Sequence, residues 1–305
     1  MRRVLRASAA LLGLGVLLGV AVAGRAFYFA AQDYGGRAPP APIMDHPDRI
    51  GIAGLVNVDL RSRDGTSLRG WYVPARNRAA VIVTSGTDSN RQDMLREVRI
   101  LAQSGFGVLA FDWPGTGQSA GRIDWGNGSV EALLGAIDWL ARRPEVDPGR
   151  LGALGFSMGG METVRVAATD PRLQAVVLSG TRPDAKASPH WIHWAPDPLH
   201  SLPIEWAARY YGWPQGRIRP IELVGRIAPR AVFLIGGTED TNANPQMMAQ
   251  MCAAAGSPKE CWVVPGASHG AYGAAAPVEY ARRLTEFFAK GLRVSAGIRA
   301  LAPAQ

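Results

Sequence analysis

The segment Gly155-Phe156-Ser157-Met158-Gly159-Gly160 follows the apolar run Leu151 to Leu154 and precedes a helical pattern that begins near Met158. A strand, a glycine-pinched turn and a helix in that order confine the chain to a reversal so tight that the Ser157 hydroxyl projects from its tip. The N–H of Met158, at the mouth of the helix, then faces any negative charge that develops beside the serine. For the pentapeptide alone, a glycine-rich turn with an incidental serine is the competing reading. The decision rests on what the rest of the chain offers that serine.

A serine hydroxyl is a poor nucleophile at neutral pH. It needs a base to take its proton and a carboxylate to orient that base. Ala231-Val232-Phe233-Leu234-Ile235 reads as a buried strand running into Gly236-Gly237-Thr238-Glu239-Asp240, which leaves a carboxylate at the strand's C-terminal end. Cys261-Trp262-Val263-Val264 reads as another short strand, ending in Pro265-Gly266-Ala267-Ser268-His269-Gly270, so His269 follows a strand on a loop. Both groups therefore fall where a sheet would present them beside an elbow serine.

The order Ser157, Asp240, His269 resembles that of the α/β-hydrolase superfamily, and the resemblance spans about Val56 to Phe288. It rests on four places: the elbow, the Gly-Thr-Glu-Asp turn, the Ala-Ser-His-Gly turn, and Phe111-Asp112-Trp113-Pro114-Gly115-Thr116-Gly117-Gln118-Ser119, an aspartate-plus-glycine loop like the one common after the fourth strand. The resemblance implies a mostly parallel central sheet flanked by helices, with Ser157 as nucleophile, His269 as base and Asp240 as orienting acid. Between the adjacent Glu239 and Asp240 it favours Asp240. It further implies oxyanion donors at the N–H groups of Met158 and of a residue near Thr87, a small acyl substrate, and no cofactor or metal. The chain departs from many relatives after Ala80 to Val83: in place of His-Gly it carries Thr84-Ser85-Gly86-Thr87-Asp88-Ser89-Asn90. A backbone N–H still donates there, but the lipase-type glycine run is missing. Asp88 is expected to face away and cap the helix that begins near Ser89.

Of the other histidines, His46 sits in a Pro-rich lead-in and reads as an exposed loop residue, while His190, His193 and His200 share one aromatic segment. His190 and His193 have a spacing that suggests a metal pair, but no cysteine or tight carboxylate cluster completes a shell there. The chain has two cysteines, Cys252 and Cys261. In an exported protein they can close a disulfide across Gly256-Ser257-Pro258; the alternative is two independent buried thiols.

The address lies in the first residues. Met1-Arg2-Arg3-Val4-Leu5-Arg6 precedes the apolar stretch Ala7 to Ala23, a basic region followed by a hydrophobic one. Ala21-Val22-Ala23 offers a cleavage site, whereas Ala26-Phe27-Tyr28-Phe29-Ala30-Ala31 extends the apolar stretch past Arg25 and favours an uncleaved anchor. Either outcome predicts a domain outside the cytoplasmic membrane, held to it through residues 1–34 if the segment is uncleaved and exported if it is cleaved. The net charge of +8 gathers partly at Arg2, Arg3, Arg6, Arg25 and Arg37, and with no basic block inside the domain it does not indicate nucleic-acid binding. With 47% apolar residues over 305 positions, one catalytic domain is expected.

The expected organisation is a linker over 35–50, the α/β domain over 51–290 with a cap insertion at about 181–220, and a frayed tail over 291–305. Strands are read at Val56 to Leu60 and Leu68 to Val73 around an Asp64-Gly65 turn, and later strands and helices alternate as a parallel sheet requires. The helix Pro277 to Phe288 is expected to bury Val278, Ala281, Leu284 and Phe288 on one face. The insertion is rich in aromatics, and Trp191, Trp194 and Trp206 are candidates to line an apolar substrate pocket. A serine hydrolase acting on carboxylic esters leads; a serine aminopeptidase or other peptidase, and a non-catalytic binding protein that keeps the fold, are the alternatives.

Overall fold

The computed structural model describes residues 13–25, 28, 46–87, 89–184 and 219–295. The chain divides into two compact units, one of Met1–Ala38 with Lys186–Arg217 and one of Pro39–Ala185 with Ile218–Gln305. In the first unit residues 13–25 are helical, with Leu14, Leu17, Leu18 and Val20 exposed. Among the described residues no helix is long and apolar enough to cross a membrane.

The second unit is built on an eight-stranded sheet in the order β1-β2-β4-β3-β5-β6-β7-β8. The strands are β1 (Val56–Arg61), β2 (Ser67–Val73), β3 (Ala80–Thr84), β4 (Gly107–Phe111), β5 (Leu151–Phe156), β6 (Leu173–Ser179), β7 (Ala231–Gly237) and β8 (Lys259–Val264). β2 runs antiparallel to both its neighbours, and all pairings from β4 through β8 are parallel. Asp64 Oδ1 accepts from Thr66 N at 2.9 Å and so shapes the expected β1–β2 turn. The central strands are apolar at nearly every position because helices cover both faces; β3 and β4 are buried throughout.

The helices are α1 (Leu95–Gln103), α2 (Asn127–Ala141), α3 (Met158–Ala167), the short α4 (Pro220–Leu223), α5 (Pro245–Ala254), the one-turn α6 (Tyr272–Ala275) and α7 (Pro277–Gly291). α1 and α7 close one face, where Val98, Leu101, Phe106, Leu284 and Phe288 meet Val81, Val108 and Phe233 of the sheet. Pleating sends Ile82, Ala153 and Leu234 to the opposite face, which α2, α3 and α5 cover.

Three details differ from expectation. Val278 is 75% exposed, and α7 instead buries Tyr280, Ala281, Leu284, Phe287 and Phe288. At about 100° per residue, position 278 points roughly 120° away from Leu284 at the centre of that stripe. The cap on the segment leading into α1 is Asn90, whose side chain accepts from Gln92 N while Asp93 reaches back to the Asn90 N–H; Asp88 lies outside the described residues. The tail does not fray at once, since Leu292 is buried and Val294 packs on the core; residues 296–305 lie outside the described set. Cys252 and Cys261 form a disulfide with Cα atoms 6.2 Å apart, tying α5 to β8.

Candidate active site

Ser157 stands between the last residue of β5 and the first of α3 with φ 52° and ψ −118°, a conformation an L residue adopts only when its surroundings enforce it. The enforcement is visible. A Cβ at Gly155 would lie 2.4 Å from Gly159 O, and one at Gly159 would lie 2.4 Å from Ser85 O, so only glycines let strand, turn and helix close this tightly. Ser157 N donates to Ser179 O at 2.8 Å, and Ser157 O accepts from Gly160 N and Met161 N at 3.0 and 3.2 Å. The backbone of the serine is thus pinned to β6 on one side and to its own helix on the other.

The loops after β7 and β8 are stitched to each other before they present their side chains. Thr238 N donates to Val264 O at 3.0 Å and Glu239 N to Ala267 O at 3.1 Å, while Gly266 N donates to Thr238 Oγ1 at 2.8 Å. This fixes Asp240 relative to His269. Asp240 Oδ2 lies 2.9 Å from His269 Nδ1, and His269 Nε2 lies 3.0 Å from Ser157 Oγ. A carboxylate only accepts, so Nδ1 carries the proton and Nε2 turns its lone pair toward the serine hydroxyl. Asp240 Oδ1 accepts from Asn242 N and Ala243 N, each at 2.8 Å. Burial pushes the Asp240 carboxyl up, but bonds from His269, Tyr272 and the Ala243 N–H outweigh it and hold the group below its ordinary range. The Asp240 side chain is fully buried and that of His269 is 20% exposed, so the relay runs from an enclosed anion to an accessible hydroxyl. Phe156 packs its ring 4.9 Å from the imidazole centroid. Glu239 points into solvent.

Met158 is the first residue of α3, and its N–H therefore has no acceptor within the helix. A Cβ placed on Gly86 would lie 3.1 Å from Ser157 Cβ, so the β3 loop passes directly beside the serine just before the exposed Thr87. That loop is held from behind. Trp113 Nε1 donates to Ser85 O at 3.0 Å. The buried Arg91 donates through its guanidinium to Asp112 Oδ2 and Gln118 Oε1, and through its backbone N–H to Asp112 Oδ1. The aspartate-plus-glycine loop singled out in the sequence is thus the buttress of the β3 loop.

Trp191, Trp194, Trp206, His190, His193 and His200 lie outside the described residues. His46 is exposed, as expected. Among the described residues no cluster of three or more His, Cys, Asp or Glu side chains converges as a metal site. Two residues at the site were not singled out by sequence: Tyr272, whose hydroxyl donates to Asp240 Oδ2 at 2.5 Å, and Gly180, which lies against both Tyr272 and His269. The position of Tyr272 three residues past His269 is a signal for the first; nothing in the sequence marks the second.

Residues 92–295 match the prolyl oligopeptidase family, a span that covers every strand from β4 to β8 and all three residues of the relay. The chain belongs to that family. It is an α/β hydrolase, and the family's span starts just after the β3 loop and ends just beyond α7. The uncharacterized protein MT2364 of Mycobacterium tuberculosis is 28% identical over 70% of this chain and 72% of its own length. The polyketide transferase ATR5 of Stachybotrys chlorohalonatus is 33% identical over 42% of this chain and 45% of its own. Among solved structures, the Pyrococcus furiosus esterase Pf2001 has a TM-score of 0.68 at 22% identity, over 85% of this chain and 97% of that one. At that identity the likeness is one of fold.

Proposed function

We propose that the chain is a serine hydrolase that cleaves carboxylic esters or related acyl compounds. The observation that carries this reading is the unbroken relay from Asp240 Oδ2 through His269 to Ser157 Oγ, at 2.9 and 3.0 Å, ending on a serine held at positive φ. His269 Nε2 takes the Ser157 proton as Oγ attacks the acyl carbon. Asp240 fixes the imidazole tautomer and stabilises the imidazolium. The N–H groups of Met158 and Thr87 receive the oxyanion. His269 then returns the proton to the leaving group, and water repeats the sequence in reverse to release the acid. Every step uses groups of this chain.

The peptidase reading has its own support in the family match, whose description names an oligopeptidase. Against it, the structural neighbours include the Pyrococcus furiosus esterase Pf2001. Ser157→Ala distinguishes enzyme from binding protein: labelling by a fluorophosphonate probe should vanish and turnover should fall by about 10^4-fold or more. Retention of normal turnover on a cleaved ester refutes the assignment. A panel of acyl esters against aminoacyl amides then separates esterase from peptidase. For address, we propose that residues 1–34 direct the chain to the membrane, with the catalytic unit on the non-cytoplasmic side. The support is Arg2, Arg3 and Arg6 ahead of an apolar stretch, together with a disulfide between Cys252 and Cys261 that suits an oxidising compartment.

A further inference from the structure

We infer that Tyr272 is a positioning residue for the Asp240–His269 pair: its hydroxyl, given to the same carboxylate oxygen that receives the imidazole N–H, fixes that oxygen and weakens its hold on the imidazole proton. The inference rests on the serine-hydrolase reading above and names how that site sets its working pH.

Four donors converge on the Asp240 carboxylate. Oδ1 takes the N–H groups of Asn242 and Ala243, and Oδ2 takes His269 Nδ1–H and the Tyr272 hydroxyl. The phenol also comes within 3.5 Å of Nδ1, so it flanks the bond it shares an acceptor with. Tyr272 is 1% exposed, which keeps water from substituting for it. Burial first, then the neighbouring carboxylate, pushes its phenol far above the usual range, so it remains a neutral donor at any working pH. Space for the hydroxyl is provided by Gly180, the residue after β6. A Cβ there would lie 2.6 Å from the Tyr272 hydroxyl and 3.0 Å from His269 Cε1, and its φ of +60° suits glycine. The geometry thus depends on a residue from a third element as well as on the turn after β7 and on α6.

The electrostatic consequence has a definite sign. A hydrogen bond from Tyr272 spreads the negative charge of Oδ2, so the carboxylate stabilises an imidazolium less than an unshared one would. Taking that bond away should therefore tighten the carboxylate's hold on the imidazole proton. Other charged or titratable groups around α6, among the described residues, leave this sign unchanged. Tyr280 of α7 donates to Glu97 of α1 at 2.9 Å, and Ser179 and Arg96 also act on that pair. Arg96 of α1 lies along Gly273, and Glu239 faces solvent.

The test compares the full chain with Tyr272→Phe, which removes one oxygen and keeps the ring. His269 is titrated by NMR in both, its signal assigned through His269→Gln, and fluorophosphonate labelling rates are measured from about pH 4 to pH 9. The imidazole midpoint and the acid limb of the labelling profile should both move up, by about half a unit to one unit, with the plateau rate kept within about tenfold. Superimposed midpoints, or a lowered plateau with an unmoved limb, overturn the inference and leave Tyr272 a packing residue. Should the phenylalanine variant not fold, 3-fluorotyrosine incorporated at position 272 alone provides a stronger donor, and the midpoint should move down; no shift overturns the inference. A wild-type chain that ignores the probe would refute the hydrolase reading, and the NMR titration would still decide the role of Tyr272.

Discussion

Asp240 and Glu239 are neighbours in one turn, yet one carboxylate is enclosed by donors and the other is hydrated. Asp240→Asn replaces an acceptor with an amide that disturbs the His269 tautomer, and it should lower turnover by about 10^4-fold, against little change for Glu239→Gln. Steady-state kinetics on one cleaved ester check the ranking, and the reverse ranking would move the acid one residue back. A second carboxylate has an unrelated pH consequence. Glu162 of α3 is fully buried, and burial pushes its carboxyl up to about 8 against the pull of Arg165, 2.7 Å away, with Asp124 pushing the same way as burial. A folded-state value above the unfolded one means that the native state binds the proton more tightly. Stability from this group is present in full below the unfolded pKa and is lost as pH rises toward 8. Glu162→Gln keeps the neutral form, so its Tm relative to wild type should rise between about pH 5 and pH 8; parallel Tm curves would contradict the assignment.

At the scale of elements, α7 shows what periodicity reveals and what it misses. Apolar spacing alone groups Val278 with Ala281, Leu284 and Phe288, but at about 100° per residue Val278 stands roughly 120° from Leu284, the centre of the buried stripe Tyr280, Ala281, Leu284, Phe287 and Phe288, and so turns to solvent. Leu284→Ala should cost about 2–5 kcal/mol in urea unfolding, and Val278→Ala less than about 0.5 kcal/mol. Similar losses at both positions would refute the packing described for α7. The interior strands were legible because helices on both faces demand near-continuous apolar runs, and the elbow was legible because Gly155, Ser157 and Gly159 fall within one short stretch of sequence. Ser157, Asp240 and His269 were legible as residue types at strand ends. Tyr272 and Gly180 were not, since their relation to Asp240 and His269 exists only once β6, β7 and β8 lie side by side. The Arg91–Asp112 pair was half visible: the loop carried a motif, but its partner 21 residues upstream carried none.

At the scale of the whole molecule, the unit of Pro39–Ala185 with Ile218–Gln305 carries Ser157, Asp240 and His269 together. Removal of residues 1–36 should therefore leave a chain that still reacts with a fluorophosphonate probe while losing any association with membranes in fractionation. A truncated chain that folds, as judged by circular dichroism, but does not label would show that the proposed address segment also serves the chemistry. The sheet order has one more consequence. β8 is both the outermost strand on its side and the last in the sequence, and His269 follows it, 112 residues after the serine. A chain emerging from the ribosome thus exposes its elbow serine long before it owns a base. On the proposed mechanism the nascent polypeptide is chemically silent, and the cell in which it is made meets a working hydrolase only after the final strand has docked.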